Sequence, residues 1–176
     1  MKTPRRIPGR LVALGLGSNL GDRLAILRNA SNSIAKLEGI ELLARSSVYE
    51  TPPFGGPPQD AYLNAVLLVA TERPLVDLMR EGLTIERRFG RVRPDPVRWG
   101  PRTLDVDVLW CSTETSDAPE VVVPHPRLRE RPFALVPLIE VCPEAHDPRD
   151  GTRFKSLDAA GVALARVATL QATSLL

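Results

Sequence analysis

Cysteine and histidine are scarce in this 176-residue chain, with two of each. Cys111 and Cys142 lie far apart and in no metal-ligand spacing, which argues against a disulfide scaffold or a structural zinc site. His125 and His146 are too few and too distant for a zinc-protease pattern. Long apolar runs are missing too. "LVALGL" follows a basic N-terminus but is soon interrupted, so neither a signal peptide nor a membrane span is expected. A cytoplasmic protein without membrane contact is the default expectation. Lysine is nearly absent: all but three of the 23 Lys and Arg residues are arginine, within a net charge of only +2. Six arginines (Arg87, Arg88, Arg91, Arg93, Arg98 and Arg102) fall close together. Aromatic residues make up 5% of the chain, so each one in a patterned segment needs a reason.

What is present suits one ordinary globular domain over residues 1–176, with 1–10 and about 156–176 peripheral. Residues 11–16 read as a short buried strand and "GSNLGD" as a turn. Asp22 is a candidate N-cap for a helix with Leu24, Leu27, Ile34 and Leu37 on one face, ended by Gly39. A period of two from Ile40 to Val48 predicts one strand, and "TPPFGGPPQD" a loop. "AYLNAVLLVAT" predicts a central strand. Pro74 opens a second helix through Leu75, Leu78, Met79 and Leu83, closed by Gly90. A basic loop leads into a fourth strand, "TLDVDVLW". Residues 112–119 read as a polar turn, "EVVVP" as a short edge strand, and 127–141 as helices broken by Pro132 and Pro137. Residues 156–170 read as a last amphipathic helix. The order is that of an α+β, ferredoxin-like βαββαβ antiparallel sheet with helices packed on it and additional C-terminal helices.

In "RWGPRTLDVDVLW" the apolar residues Leu104, Val106, Val108 and Trp110 alternate with Asp105 and Asp107. Successive strand side chains point to opposite faces, so the two aspartates share one. Aspartate is depleted from strands, and like charges this close repel unless something positive lies between them. A simple wet face is the bland alternative. Against it stand Arg91, Arg93, Arg98 and Arg102, whose planar forks match phosphate oxygens. Carboxylates for Mg²⁺ beside arginines for phosphate are the parts of a phosphoryl-transfer site. Glu86, at the end of the second helix, is a possible further acidic partner. "GLGSNLGD" is not a phosphate loop, because no Gly-Lys-Ser/Thr follows, and its glycines are spaced one residue too widely for a dinucleotide fingerprint.

The block "GRVRPDPVRWGPRTLDVDVLW", with "LGLGSNLGD", "SSVYETPPFG", "YLNAV" and "VPHPRLRERPFALVPL" in order, resembles the 6-hydroxymethyl-7,8-dihydropterin pyrophosphokinases of folate biosynthesis. The resemblance spans about residues 11–150. It implies transfer of pyrophosphate from ATP to the pterin hydroxymethyl group, with release of AMP. It implies two Mg²⁺ ions on Asp105 and Asp107, with Arg91 and Arg102 stabilising the transferring groups. Glu86, Arg93, Trp99, Val108, His125 and Arg131 would hold ATP. Thr51, Pro52, Phe54, Tyr62, Asn64 and Phe133 would hold the pterin, with Tyr62 and Phe133 sandwiching the ring and Asn64 reading its edge. The partners implied are these two small molecules alone, on a monomer, with no nucleic acid.

This chain departs from the family pattern in three places. Pro94, Asp95 and Pro96 stand where some members carry basic or polar residues, and would stiffen the basic loop. Pro126 replaces an aromatic after His125, and Phe54 an aliphatic residue near the pterin. Two other readings compete. An RNA-binding sheet needs stacking aromatics on its central strands, and no such pattern is present. A different metal-dependent phosphohydrolase leaves Tyr62, Asn64 and Phe133 without a role.

Overall fold

The computed structural model describes residues 9–93, 97 and 99–171. Pro94, Asp95, Pro96 and Arg98 lie outside the described residues, as do 1–8 and 172–176, so the expected stiffening of the basic loop falls outside them. The element order is β1 (Arg10–Ser18), α1 (Arg23–Ala35), β2 (Ile40–Arg45), β3 (Ser47–Thr51), β4 (Tyr62–Thr71), α2 (Leu75–Arg88) and β5 (Asp105–Cys111). Then come β6 (Ser116–Ala118), β7 (Val121–Val123), α3 (Pro132–Val141) and β8 (Ala165–Thr169), with three short 3-10 turns. The main sheet runs β5-β1-β4-β3-β8, and β2 also pairs with β4. Its pairings are antiparallel.

Local chemistry sets the helix ends. The Asp22 side chain accepts from the Ala25 amide at 3.0 Å and so caps α1. Gly90, next after the Phe89 cap, takes the left-handed backbone (φ 83°) that ends α2 at little steric cost, whereas α1 ends earlier, at its Lys36 cap, and Gly39 (φ 73°) sits in the turn before β2. One sheet face buries Val12, Leu14, Leu16, Leu67 and Val69 against Leu27 and Ile34 of α1 and Leu75, Leu78 and Ile85 of α2. The other buries Ala13, Val66, Leu68 and Trp110 against Ala134, Leu135 and Leu138 of α3. The result is a three-layer α/β packing with α1 and α2 on one side of the sheet and α3 on the other.

Four local expectations are corrected. Residues 156–170 are not a helix: two 3-10 turns give way to β8, which pairs antiparallel with β3. The open edge of β3 supplies ladder partners, and Val167 and Thr169 suit a strand. The strand expected over 40–48 splits at Ser46, where the β4 pairing gains one residue and the Val66 amide donates to the Ser46 hydroxyl (2.8 Å). Pro137 does not break a helix but lies buried inside α3, which Pro132 opens. The polar turn of 112–119 contains β6, paired with β7.

The alternation of the fourth strand also fails at one point. The β1–β5 register shifts between Ala13 and Leu14, leaving Leu109 as an extra residue between Val108 and Trp110. This bulge turns Trp110 onto the α3 face, while Leu104, Val106 and Val108 stay on the α1/α2 face. The Trp110 indole then donates to the His146 carbonyl at 2.7 Å.

Candidate active site

Strand register builds the site. In β1, Gly17 lies opposite Asn64 of β4 on one side and Asp105 of β5 on the other, forming a row across three strands. Gly15 lies opposite Val66 and Asp107, forming the next row. Opposed residues point the same way. Asp105, Asp107 and Asn64 therefore share the α3 face, separated only by glycines. A Cβ added at Gly17 would come within 3.1 Å of Asn64 Oδ1. The glycines read as part of a turn are thus partly strand residues, and Gly17 keeps the floor of a cavity open. Thr51, opposite Tyr62 on β3, accepts from Asn64 Nδ2 at 2.8 Å.

The cavity above this floor holds about 110 Å³ and has two chemically different ends. One is lined by Thr51, Pro52, Phe54, Tyr62, Asn64 and Phe133, with Trp99. The other is lined by Arg102, Asp105, Asp107, Arg127 and Arg131. Phe54 and Phe133 lie 5.9 Å apart between centroids, tilted by 60°. Tyr62 directs its hydroxyl between Gln59 Oε1 (3.2 Å) and the Gly100 carbonyl (3.3 Å).

Asp105 is held by two arginines: Arg91 contacts Oδ1, and Arg102 donates to Oδ2 at 3.2 Å. Asp107 is half-buried and makes no hydrogen bond among the described residues. Burial, then the Asp105 charge beside it, pushes its carboxyl up to about 7. Arg131 Nε is buried with no hydrogen-bond partner. A carboxylate short of positive charge beside an unsatisfied guanidinium nitrogen suits a hard cation carrying phosphate oxygens. Among the described residues, no group of three His, Cys, Asp or Glu residues could hold a metal alone. The donor set is therefore two carboxylates with room for phosphate and water, which fits Mg²⁺ better than an all-protein cage.

The remaining expected residues lie behind or beside the cavity. Glu86 is fully buried and is not a solvated helix residue. Its Oε1 accepts from the Val106 amide (2.9 Å) and from Arg91 (3.2 Å). Its Oε2 accepts from Arg93 Nε and an Arg93 terminal nitrogen at 2.9 and 2.7 Å. Burial pushes the Glu86 carboxyl up, while the Val106 amide and then Arg91 and Arg93 pull it back. Arg91, also buried, links Glu86, the Leu104 carbonyl and Asp105. The Val108 side chain lies in the α1/α2 core, so only its backbone can reach a ligand from β5. His125 sits beside Arg131 (3.4 Å), and burial followed by the Arg131 charge lowers it to about 4. Its Nδ1 faces the Arg127 amide (3.2 Å) and its Nε2 faces Arg131, so both ring nitrogens meet donors.

Beside Gly17 and Gly55, two polar lining residues are not among those expected from the sequence. Gln59 sits in the proline-rich loop, donates to the Trp99 carbonyl (2.8 Å) and accepts from Asn19 (3.0 Å). Arg127 falls within the block "VPHPRLRERPFALVPL", between His125 and Arg131, and that spacing is a usable signal.

Comparison with known proteins identifies the family. The profile of the 7,8-dihydro-6-hydroxymethylpterin-pyrophosphokinase (HPPK) family matches residues 13–143. A 2-amino-4-hydroxy-6-hydroxymethyldihydropteridine pyrophosphokinase of Methylorubrum extorquens is 46% identical over 132 residues, covering 74% of this chain and 82% of that protein. One from a Synechocystis strain is 38% identical over 148 residues, covering 84% and 73%. Among solved structures, an HPPK-DHPS in complex with substrates superposes with a TM-score of 0.61 at 11% identity. That likeness concerns the fold alone; it covers 87% of this chain and 43% of the other, so this chain spans less than half of that fused protein. With the profile matching most of the sequence and relatives this similar over most of their length, the chain belongs to the 7,8-dihydro-6-hydroxymethylpterin-pyrophosphokinase family.

Proposed function

We propose that the cavity between Asn64 and Asp107 is where this enzyme transfers pyrophosphate from ATP to 6-hydroxymethyl-7,8-dihydropterin in folate biosynthesis. The observation that carries this reading is the two-ended cavity: an amide and aromatic rings at one end, paired carboxylates and arginines at the other. A pterin is flat, with a donor/acceptor edge. Tyr62 and Phe133 offer it faces, with Phe54 and Pro52 beside them, and Asn64 and Thr51 offer it polar atoms. Its hydroxymethyl oxygen then points toward the aspartates. Attack of that oxygen on the β-phosphorus of ATP breaks the bond to the α-phosphate oxygen, and AMP leaves with that oxygen.

Asp105 and Asp107 would hold two Mg²⁺ ions, which neutralise the triphosphate and the charge developing on AMP. Arg102 lies at the cavity wall, where it meets the transferring groups, and Arg131 offers its unpaired Nε to a phosphate oxygen. Arg91 orients Asp105 from behind. Glu86 and Arg93 brace that arrangement, and Trp99 covers the site. His125 offers its ring to the nucleotide, and Val108 a backbone group. Water exclusion by the covering loop suppresses ATP hydrolysis.

The spatial order β5-β1-β4-β3 and the βαββαβ sequence support a ferredoxin-like description of the core. We read it as a monomeric enzyme of one domain, built on one main sheet. No described helix is long and apolar enough to cross a membrane, and we place the enzyme in the cytoplasm.

ATP turnover measured with and without the pterin tests the assignment. AMP formation that depends on the pterin supports it; ATP hydrolysis indifferent to the pterin overturns it. Two substitutions separate the ends of the cavity. Asn64→Ala removes the ligand-reading amide and the donor to buried Thr51. Its pterin affinity is expected to fall roughly 10- to 100-fold, as for an unpaired buried polar group, while ATP affinity holds. Calorimetric titration of each ligand checks this, and the opposite pattern reverses the two subsites. Arg102→Ala is expected to lower kcat by about 10²-fold, the scale of one lost charge-stabilising donor, with a much smaller change in the MgATP dissociation constant. Arg102→Lys should restore only part of the rate, since a point charge cannot replace the fork. Equal losses of rate and affinity would make Arg102 a ground-state binder.

A further inference from the structure

We propose that Arg127 is a positioning residue that clamps together the two loops covering the cavity, and so couples occupation of its pterin end to occupation of its phosphate end. This rests on the assignment of the two ends above.

Arg127 emerges from a rigid point. Its amide donates to His125 Nδ1, and its carbonyl accepts from the Glu130 amide at 3.2 Å, in a turn anchored by buried Leu128. From there its guanidinium reaches two rings at once. The carbon of the guanidinium lies 5.1 Å from the Phe54 centroid and 5.9 Å from the Trp99 centroid. Both distances are within the reach of a cation–π contact. Arg127 makes no ion pair among the described residues, so no carboxylate competes for it.

The two rings belong to different loops. Phe54 lies between β3 and β4, beside the residues that receive the pterin. Trp99 lies on the segment that feeds Arg102 and Asp105. Both rings are 47% exposed, so neither is fixed by burial in the core. Trp99 also has a left-handed backbone, φ 57°, which a bulky residue adopts only when something holds it. Gln59 holds its carbonyl, and Gly56 allows that approach, since a Cβ there would come within 2.5 Å of the same oxygen. Arg127 adds a tie on the ring. A planar guanidinium presents delocalised charge to two rings together, whereas an ammonium is a compact point charge.

The functional consequence is linkage. A ligand that orders either loop also orders the clamp, and the second ligand then meets a loop already in place. Arg127 also lines the phosphate end, so its removal both unties the loops and takes one cation from that end; the coupling, set against affinity for each ligand alone, separates the two effects. Phe54 and Arg127 are a matched pair here: an aliphatic residue at position 54 would offer no ring.

The test compares wild type, Arg127→Ala and Arg127→Lys. Pterin dissociation constants are measured with and without Mg²⁺ and a non-hydrolysable ATP analogue, and their ratio gives the coupling. In Arg127→Ala the coupling is expected to fall by roughly 5-fold or more, the scale of a lost cation–π contact. Pterin affinity without nucleotide should change by less than about 2-fold on the same scale, and Tm should hold. Arg127→Lys is expected to rescue only partly. Acrylamide quenching of tryptophan fluorescence reads the clamp directly, because Trp110 is buried and Trp99 is not. Quenching should rise in Arg127→Ala with no ligand present, and by no more in the Phe54→Ala/Arg127→Ala double variant than the linked contacts allow. Unchanged coupling and quenching would overturn the clamp. So would an equal loss of affinity for each ligand alone, which would make Arg127 a direct ligand contact. If the wild-type protein bound neither ligand, the assignment of the cavity would fail; the quenching comparison would still decide whether the clamp exists.

Discussion

Asp105→Ala and Asp107→Ala are each expected to lower kcat by about 10³-fold or more. Charge stabilisation of this kind supplies several kcal/mol, and about 4 kcal/mol corresponds to that factor. The two variants should differ in stability, and the geometry says how. Asp105 neutralises Arg91 and Arg102, so its removal leaves cations short of a partner, and Tm should drop. Asp107 makes no hydrogen bond among the described residues, and its carboxyl is pushed up to about 7. An acid whose folded-state value lies above its unfolded value binds protons more readily when folded. Its ionisation therefore opposes folding increasingly as pH rises from about 4 to about 7, and fully above that. In chelator at pH 8, Asp107→Ala should accordingly match or exceed the wild-type Tm while being inactive. Steady-state kinetics and calorimetry on the same preparations check both halves. Near-normal turnover in both variants would remove the aspartates from the proposed metal site. An inactive Asp107→Ala with a sharply lowered Tm would mean that the residue is structural instead.

The second large effect falls on Glu86, where stability rather than chemistry should respond first. Its carboxylate is fully buried and accepts four hydrogen bonds from the Val106 amide, Arg91 and Arg93. Replacing both partners of such a pair with apolar groups can be nearly neutral. Removing only one strands a buried charge, which costs about 3–5 kcal/mol. In Glu86→Ala the group that loses its buried counter-charge is Arg91, of which 3% of the side chain is exposed. For a chain of this size each kcal/mol moves Tm by about 2–4 °C, so a fall on the order of 10 °C is expected. Arg91 would then keep Asp105 and the Leu104 carbonyl but lose its anchor on α2, and kcat should fall as the orientation of Asp105 loosens. Glu86→Gln keeps the volume and some acceptor capacity, and should recover part of the Tm. A shift below about 3 °C in Glu86→Ala would show that Arg91 finds another partner and that the network is not the brace described.

The local elements were largely legible in the sequence because their signals are local. A carboxylate before an apolar period marks an N-cap, and Asp22 caps α1. A glycine after such a period marks a helix end, as Gly90 does for α2, whereas α1 stops short of Gly39, at its Lys36 cap. Alternation on a strand puts Asp105 and Asp107 on one face whatever lies around them. The family, and with it the chemistry, followed from ordered motif blocks. Eleven of the expected site residues line one cavity: Thr51, Pro52, Phe54, Tyr62, Asn64, Trp99, Arg102, Asp105, Asp107, Arg131 and Phe133.

Other features depend on partners distant in sequence, and only the tertiary structure decided them. Residues 156–170 carry a pattern compatible with a helix, but the open edge of β3, more than 100 residues earlier, offers a ladder that 165–169 completes. The bulge at Leu109 arises from pairing with β1, so alternation alone puts Trp110 on the wrong face. Glu86 reads in the sequence as a further acidic partner at a helix end; that it is buried behind Asp105, under the β5 amide and two arginines, is decided by the packing. Gly17 matters because it sits between Asn64 and Asp105, and that row exists only once three strands are in register. Arg127 meets Phe54 and Trp99 across three separate segments. Nearest-neighbour sterics and periodicity fix conformation along the chain; which side chains share a buried charge, a bulge or a cavity is set by long-range pairing, where burial and electrostatics outweigh local preference.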